Sequence, residues 1–122
     1  MGQALDVVNT FYDLTHHRRQ TEGMEQLIAK DMYFWGPLQT VSGAKEYIAL
    51  NEQLLQFHAG VEMAVQIEDG YSVCSMYVLL MKTLAGETFA IPMVDWLRVV
   101  NGRIVEQRVY YDPRKFMEAF GM

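Results

Sequence analysis

The sequence predicts an α+β domain, with helices gathered in the first half and an antiparallel meander curving over them in the second. Three observations predict it. Apolar residues recur every three or four positions up to about residue 58. Two dipeptides that favour tight hairpins, Asp69-Gly70 and Asn101-Gly102, punctuate the second half. Around them apolar residues alternate, as half-buried strands require. The expected order is ααβαββββα, one domain over residues 1–122.

Each element has its own signal. Leu5, Val8 and Tyr12 share one helical stripe, and Val7, Phe11 and Leu14 a neighbouring one, predicting a helix over 4–19. Its end, His16-His17-Arg18-Arg19, suits the negative pole of a helix dipole and reads as solvated surface. Thr21 caps a short second helix with Met24, Leu27 and Ile28 facing inward. Met32 to Trp35 read as a short strand stopped by Gly36-Pro37. Ser42 caps a long third helix that runs to about His58. Strands follow at about 61–68, 71–83, 87–100 and 103–111, with Ala85-Gly86 turning the middle hairpin. Pro92, inside the third of these, marks a bulge or a position without a ladder bond. Asp112-Pro113 opens a last short helix over Phe116 and Phe120.

Composition limits the function classes. Of 122 residues, 51% are hydrophobic and 20% charged, enough for a real core and too apolar for disorder. Ten basic residues against fifteen acidic ones give −5, which argues against a nucleic acid partner. No apolar run reaches the roughly 18 residues of a membrane span, and the N-terminus lacks a signal-peptide pattern. The expectation is a cytoplasmic protein with no membrane partner. The single Cys74 excludes an internal disulfide and a cysteine-cluster zinc site. Adjacent His16 and His17 do not share a helix face, so no metal or other cofactor is expected. Nine methionines, six phenylalanines and seven tyrosines suggest an adaptable interior with room inside.

Polar residues stand where the patterns want apolar ones. One face of the strand at 87–100 carries Phe89, Ile91, Met93, Asp95, Leu97 and Val99. If that face points inward, desolvation raises the pKa of Asp95 and could keep it protonated, as a hydrogen-bond donor. A register shift at Pro92 would instead leave it exposed or paired with an arginine. Asn51 and His58 interrupt the stripe Ala44, Tyr47, Ile48, Leu55 of the third helix, although a histidine also suits a helix end. Gln107, Val109 and Tyr111 share one face of the last strand, and Arg108 and Tyr110 the other. A buried Tyr12 would need a partner for its hydroxyl.

The element order, the segment from Asp95 to Glu106 and the ending Tyr110-Tyr111-Asp112-Pro113 resemble the nuclear-transport-factor-2-like superfamily. Within it they are most similar to SnoaL-like and ketosteroid-isomerase-like proteins. The resemblance implies a cystatin-like cone, a strongly curved sheet wrapped around a long helix and an apolar pocket. Asp95, followed by Arg98, matches the oxyanion-hole aspartate of steroid isomerases, and Tyr12 their oxyanion tyrosine. The family's general bases are replaced, by Gly36 after the first strand and by Val109 in the last. Asp95, or His58 if it reaches the pocket, would have to take the proton.

Two functions stay open. One is an isomerase-, cyclase- or dehydratase-like enzyme acting on an apolar carbonyl or polyketide-like compound, with Asp95, Tyr12 and His58 as its catalytic groups. The other is a non-catalytic ligand-binding or dimeric interaction domain. In either case Trp35, Asn51, Met93, Leu97, Gln107, Val109 and Tyr111 are expected to line the pocket. Val94, Trp96, Arg98, Arg108 and Tyr110 form the expected homodimer face, rich in the residue types of interface centres.

Overall fold

A computed structural model describes residues 2–122. Helix α1 (Gln3–Tyr12) continues into a π-helical turn (Asp13–Arg18), and a 3-10 turn (Met24–Gln26) follows. Then come β1 (Ile28–Trp35), β2 (Thr40–Ser42), α2 (Ala44–Leu55), β3 (His58–Asp69), β4 (Ser72–Lys82), β5 (Thr88–Val100), β6 (Arg103–Tyr110) and α3 (Arg114–Ala119). The six strands form one curved, open sheet in the order β2-β1-β6-β5-β4-β3. The core lies between its concave face and the helices. There Val8, Phe11 and Tyr12 of α1 and Tyr47 of α2 meet Met32, Val73, Leu97, Val99 and Ile104 of the sheet.

The alternation in β5 has the expected sense. Ile91, Asp95, Leu97 and Val99 are buried, while Pro92, Arg98 and Val100 are exposed. A bulge in β6 completes this face. Arg98 pairs with Glu106 but Val99 pairs with Ile104, leaving Val105 as the extra residue. That one-residue insertion lets Ile104, Gln107 and Val109 all face inward, although their spacing breaks strict alternation.

Several elements differ from the sequence expectation. The first helix loses α geometry after Tyr12, where backbone bonding widens to a π turn before Arg19 closes it at φ 54°. The second helix is one 3-10 turn, because β-branched Ile28 already belongs to β1. Ser42 does not cap α2; it pairs with Tyr33 in an unexpected strand, β2, and Gly43 (φ 97°) turns into the helix. Helix α2 stops at Leu55, so His58 begins a strand opposite Met81 rather than ending a helix. β1 joins the sheet parallel to β6, so the sheet is mixed rather than wholly antiparallel. Asp69 stays in β3, and Gly70-Tyr71 make the turn with positive φ at glycine only. Asn101-Gly102 turn as expected, both at positive φ. Pro92 causes no bulge: the β4–β5 register runs unbroken through Val78–Pro92. β6 reaches only Val94, so Pro92 lies where β5 has β4 as its only strand neighbour.

Glu68 of β3 fixes the start of α1. Its carboxylate accepts from the backbone N–H of Gly2 (2.9 Å) and of Leu5 (2.8 Å), supplying the cap that Gly2 cannot. Glu68→Ala is expected to cost about 1 kcal/mol in denaturant unfolding, as a lost N-cap does. Leu84, 88% exposed in the turn between β4 and β5, is the control: Leu84→Ala should stay within about 0.5 kcal/mol.

Candidate functional site

A cavity of about 250 Å³ opens between α1, α2 and the concave face of β4, β5 and β6. Its walls are mostly apolar, with Leu54, Leu79, Met81, Ile91 and Phe116 among them. Among the described residues that line it, Asp95 is the only one with a side-chain carboxylate, and none is a lysine or arginine.

Asp95 is 1% exposed, and three donors from three elements surround it. Tyr12 of α1 donates to Oδ2 at 3.0 Å, Tyr77 of β4 donates to Oδ1 at 2.9 Å, and the Gln107 amide of β6 donates to Oδ2 at 3.1 Å. Tyr47 of α2 donates its hydroxyl to Gln107 Oε1, which turns the amide nitrogen toward Asp95. Fully buried Ser75 stands opposite Asp95 in the β4–β5 ladder and accepts from Gln66 at 3.3 Å.

Burial lifts the Asp95 pKa to about 6, and the bonds from Tyr77, Tyr12 and Gln107 oppose that rise. Asp95 is therefore mostly ionised at pH 7 and accepts, rather than standing protonated as the sequence suggested. Burial and then the charge of Asp95 push the phenols of Tyr12 and Tyr77 far above their usual range, so both stay protonated donors. A carboxylate offers about four acceptor positions. Two on Oδ2 and one on Oδ1 are used, which leaves one open on Oδ1.

A second polar group lies in the same lining. His16 Nδ1 and His58 Nε2 are 2.9 Å apart. The His16 ring sits 5.1 Å from that of Tyr12 and 5.5 Å from that of Tyr77. Burial first, and then nearby positive groups, hold both histidines well below the ordinary value.

Of the residues singled out from sequence, Tyr12, Asn51, His58, Met93, Asp95, Gln107, Val109 and Tyr111 line the cavity. Asn51 turns its amide back onto the carbonyl of Tyr47 at 2.9 Å. Trp35 and Leu97 do not line it. Trp35 leaves β1 on the side opposite cavity-lining Phe34 and packs on Tyr110 at 5.1 Å. Leu97 faces inward like Asp95 but is fully buried in the core beyond the cavity. Gly36 and Val109 line the cavity and put no carboxylate there.

Sequence reasoning missed Tyr77 and His16, and left Tyr47 among the stripe residues. The alternation used for β5 finds Tyr77 when carried to β4, where Ser75 and Tyr77 interrupt inward-facing Val73, Leu79 and Met81. His16 is disguised as surface by its basic neighbours. His17, Arg18 and Arg19 match that expectation: all three are exposed, and His17 and Arg18 pair with Asp13 at 3.6 and 2.9 Å. His16 stands four residues after Tyr12 and turns in with it. Among the described residues no group of three or more histidine, cysteine, aspartate or glutamate side chains could hold a metal ion. No helix among them is long and apolar enough to cross a membrane.

A family model described as a SnoaL-like domain matches residues 8–107. The chain belongs to the SnoaL-like family. Solved structures carry the same fold. An NTF2-like protein of unknown function from Burkholderia pseudomallei K96243 is 21% identical, with all of both chains covered and a TM-score of 0.85. TerC, co-crystallised with polyporic acid, is 17% identical over 99% of this SnoaL-like chain and 100% of its own, at a TM-score of 0.82. A protein with a ketosteroid isomerase-like fold from Catenulispora acidiphila DSM 44928, in complex with trimethylamine, is 17% identical over 95% and 92%, at 0.77. At these identities the likeness shows the fold alone. No curated protein matches this SnoaL-like chain.

Because its folded pKa is raised, Asp95 links stability to pH. A folded pKa of about 6 contributes stability below the ordinary value of 3.8 that is lost as pH rises through 6. Between pH 4 and pH 7.5, the wild type should lose on the order of 2 kcal/mol relative to Asp95→Asn, since each tenfold change in proton affinity is worth about 1.4 kcal/mol and part of the effect lies below pH 4. Every other ionisable side chain is common to both proteins, so its contribution cancels in the difference. Urea unfolding across that range measures it, and a flat difference would mean that Asp95 titrates as an exposed carboxyl.

Proposed function

We propose that the cavity binds a small, largely apolar carbonyl compound, polyketide-like in character, and that Asp95 moves a proton on it. One observation carries the reading: a buried carboxylate, held near pKa 6 with an acceptor position open, is the only side-chain carboxylate among the described residues that line the cavity. A base is most effective when its pKa lies near the working pH. The C–H proton next to the carbonyl passes to Asp95 Oδ1. The C–H electron pair becomes the enolate double bond, and the carbonyl π pair moves onto oxygen. Once protonated, Asp95 needs fewer donors, and the hydroxyl of Tyr12 or Tyr77 can rotate toward that oxygen. Asp95 rather than His58 takes the proton, because burial lowers the basicity of His58. This chemistry is shared by isomerases, cyclases and dehydratases. Small organic molecules in the TerC and Catenulispora structures support a ligand-binding use of the fold.

Proton exchange tests this without the natural substrate. The protein should speed deuterium uptake next to the carbonyl of 2-tetralone or 1-indanone in D2O, read by NMR. Asp95→Asn should lower the rate about 100-fold. The wild-type rate should fall as pH drops through about 6, where the base is protonated. An acceleration that survives Asp95→Asn would contradict the assignment.

A second reading, a ligand-binding module without turnover, is favoured by one feature. The hydroxyls of Tyr12 and Tyr77 already donate to Asp95, so neither stands free for a developing oxyanion. Binding of the same ketones, weakened by Asp95→Asn but without exchange, would select this reading.

We further propose a homodimer through the convex face of the sheet. Neighbouring ladder rows there carry Val65, Met76, Val94 and Tyr110, and then Ile67, Cys74, Trp96 and Arg108. Val65, Ile67, Met76 and Tyr110 are all more than 40% exposed, an apolar surface of the kind that marks association. Arg98, exposed and 3.8 Å from Glu106, stands at its border. Sedimentation should show a dimer that Trp96→Glu dissociates; a monomer indifferent to the change would remove the proposal.

A further inference from the structure

The histidine pair has an unfilled valence. A neutral imidazole carries one N–H donor and one acceptor nitrogen. His16 and His58 spend one of each on the other at 2.9 Å. Two ring nitrogens remain, His16 Nε2 and His58 Nδ1, and of these His58 Nδ1 is buried with no hydrogen-bond partner among the described residues. A buried polar atom without a partner is unfavourable and rare enough to call for a reason. Both histidines line the cavity. The other titratable or charged groups around them are Tyr12, Tyr77, His17 and Arg19; the Arg19 guanidinium donates to the carbonyls of His58 and Ala59 at 3.4 Å.

We propose that His58 Nδ1, with its ring held by His16, is a second recognition point of the cavity, and that the ligand presents a hydroxyl group to it. This rests on the reading of the cavity as a ligand site and names the substrate class. A hydroxyl both donates and accepts, so it completes His58 whichever nitrogen carries the proton. A carbonyl or an ammonium group would suit only one tautomer. At the Asp95 end, the open position on Oδ1 accepts a donor such as the O–H of an enol. Apolar side chains, Leu79, Met81 and Ile91 among them, also line the cavity and suit a ring system. At about 250 Å³ the cavity is smaller than the roughly 300–1,000 Å³ typical of drug-sized ligands. The substrate class is thus a compact hydroxy-ketone of one or two rings, its enolisable end at Asp95 and its hydroxyl at His58.

Naphthols imitate the enol of a two-ring ketone, and naphthalenediols add the second hydroxyl at graded spacings. Calorimetric titration of 2-naphthol and of the 1,6-, 2,6- and 2,7-diols should find one diol bound roughly tenfold tighter than 2-naphthol, as one added hydrogen bond allows. In His58→Phe, or in His58→Leu if phenylalanine is too bulky, that ratio should fall to about one. In His16→Phe it should shrink, because the ring of His58 loses its hold. In Asp95→Asn both compounds should weaken together, leaving the ratio. The ratio is the readout because damage to the fold weakens both compounds alike. A wild type that prefers no diol more than twofold, or a preference that survives His58→Phe, overturns the proposal. If 2-naphthol itself does not bind, the cavity reading fails, and this inference fails with it.

Discussion

A carboxylate buried in an apolar wall is tolerable only if its neighbours supply what water would have supplied. Around Asp95 that requirement organises most of the fold. Tyr12 arrives from α1, Tyr77 from β4 and Gln107 from β6, and Tyr47 of α2 orients the Gln107 amide. Each arrival has a local cause. The Val105 bulge rotates Gln107 onto the concave face. The strand pairing sets Ser75 opposite Asp95 and Tyr77 one step along the same face. Glu68 anchors the start of the helix that carries Tyr12.

The satisfaction is incomplete in a useful way. Three donors on four positions lower the pKa less than burial raises it, so the group stays a carboxylate at pH 7 yet remains basic enough to accept a proton. The histidine pair shows the same logic without charge: one internal bond, and one buried nitrogen, His58 Nδ1, left without a partner among the described residues. Both unfilled positions belong to residues of one cavity, and the π turn after Tyr12 carries Thr15 and His16 into its lining. π-helical turns are frequent at functional sites, where they redirect a side chain that α spacing would place elsewhere.

Much of this was legible in the sequence, wherever one periodicity ruled a whole segment. The alternation in β5 placed Asp95 inside and Trp96 outside, and Asn101-Gly102 fixed the last hairpin. What was hidden depended on breaks in periodicity. The bulge at Val105, the π turn at residues 13–18 and the early end of α2 each shift residues by one position or a fraction of a turn. Those shifts moved His58 from a helix end to a strand start, and they brought in His16, which the charge of its neighbours had disguised. Trp35 and Leu97 show two other failures. A four-residue strand gave too little pattern to choose between the faces of β1. Alternation alone could not tell a cavity wall from the solid core beyond it.

The proposed chemistry stands on the protonation of one group. Carbon-13 labelling of aspartate, with the Asp95 carboxyl resonance assigned through Asp95→Asn and followed by NMR from pH 3 to pH 9, reads it directly. The expected result is a titration centred near pH 6, raised by burial and held there by Tyr12, Tyr77 and Gln107. A midpoint near the ordinary 3.8 would contradict it, because Asp95 would then be too weak a base for the role its burial suggests.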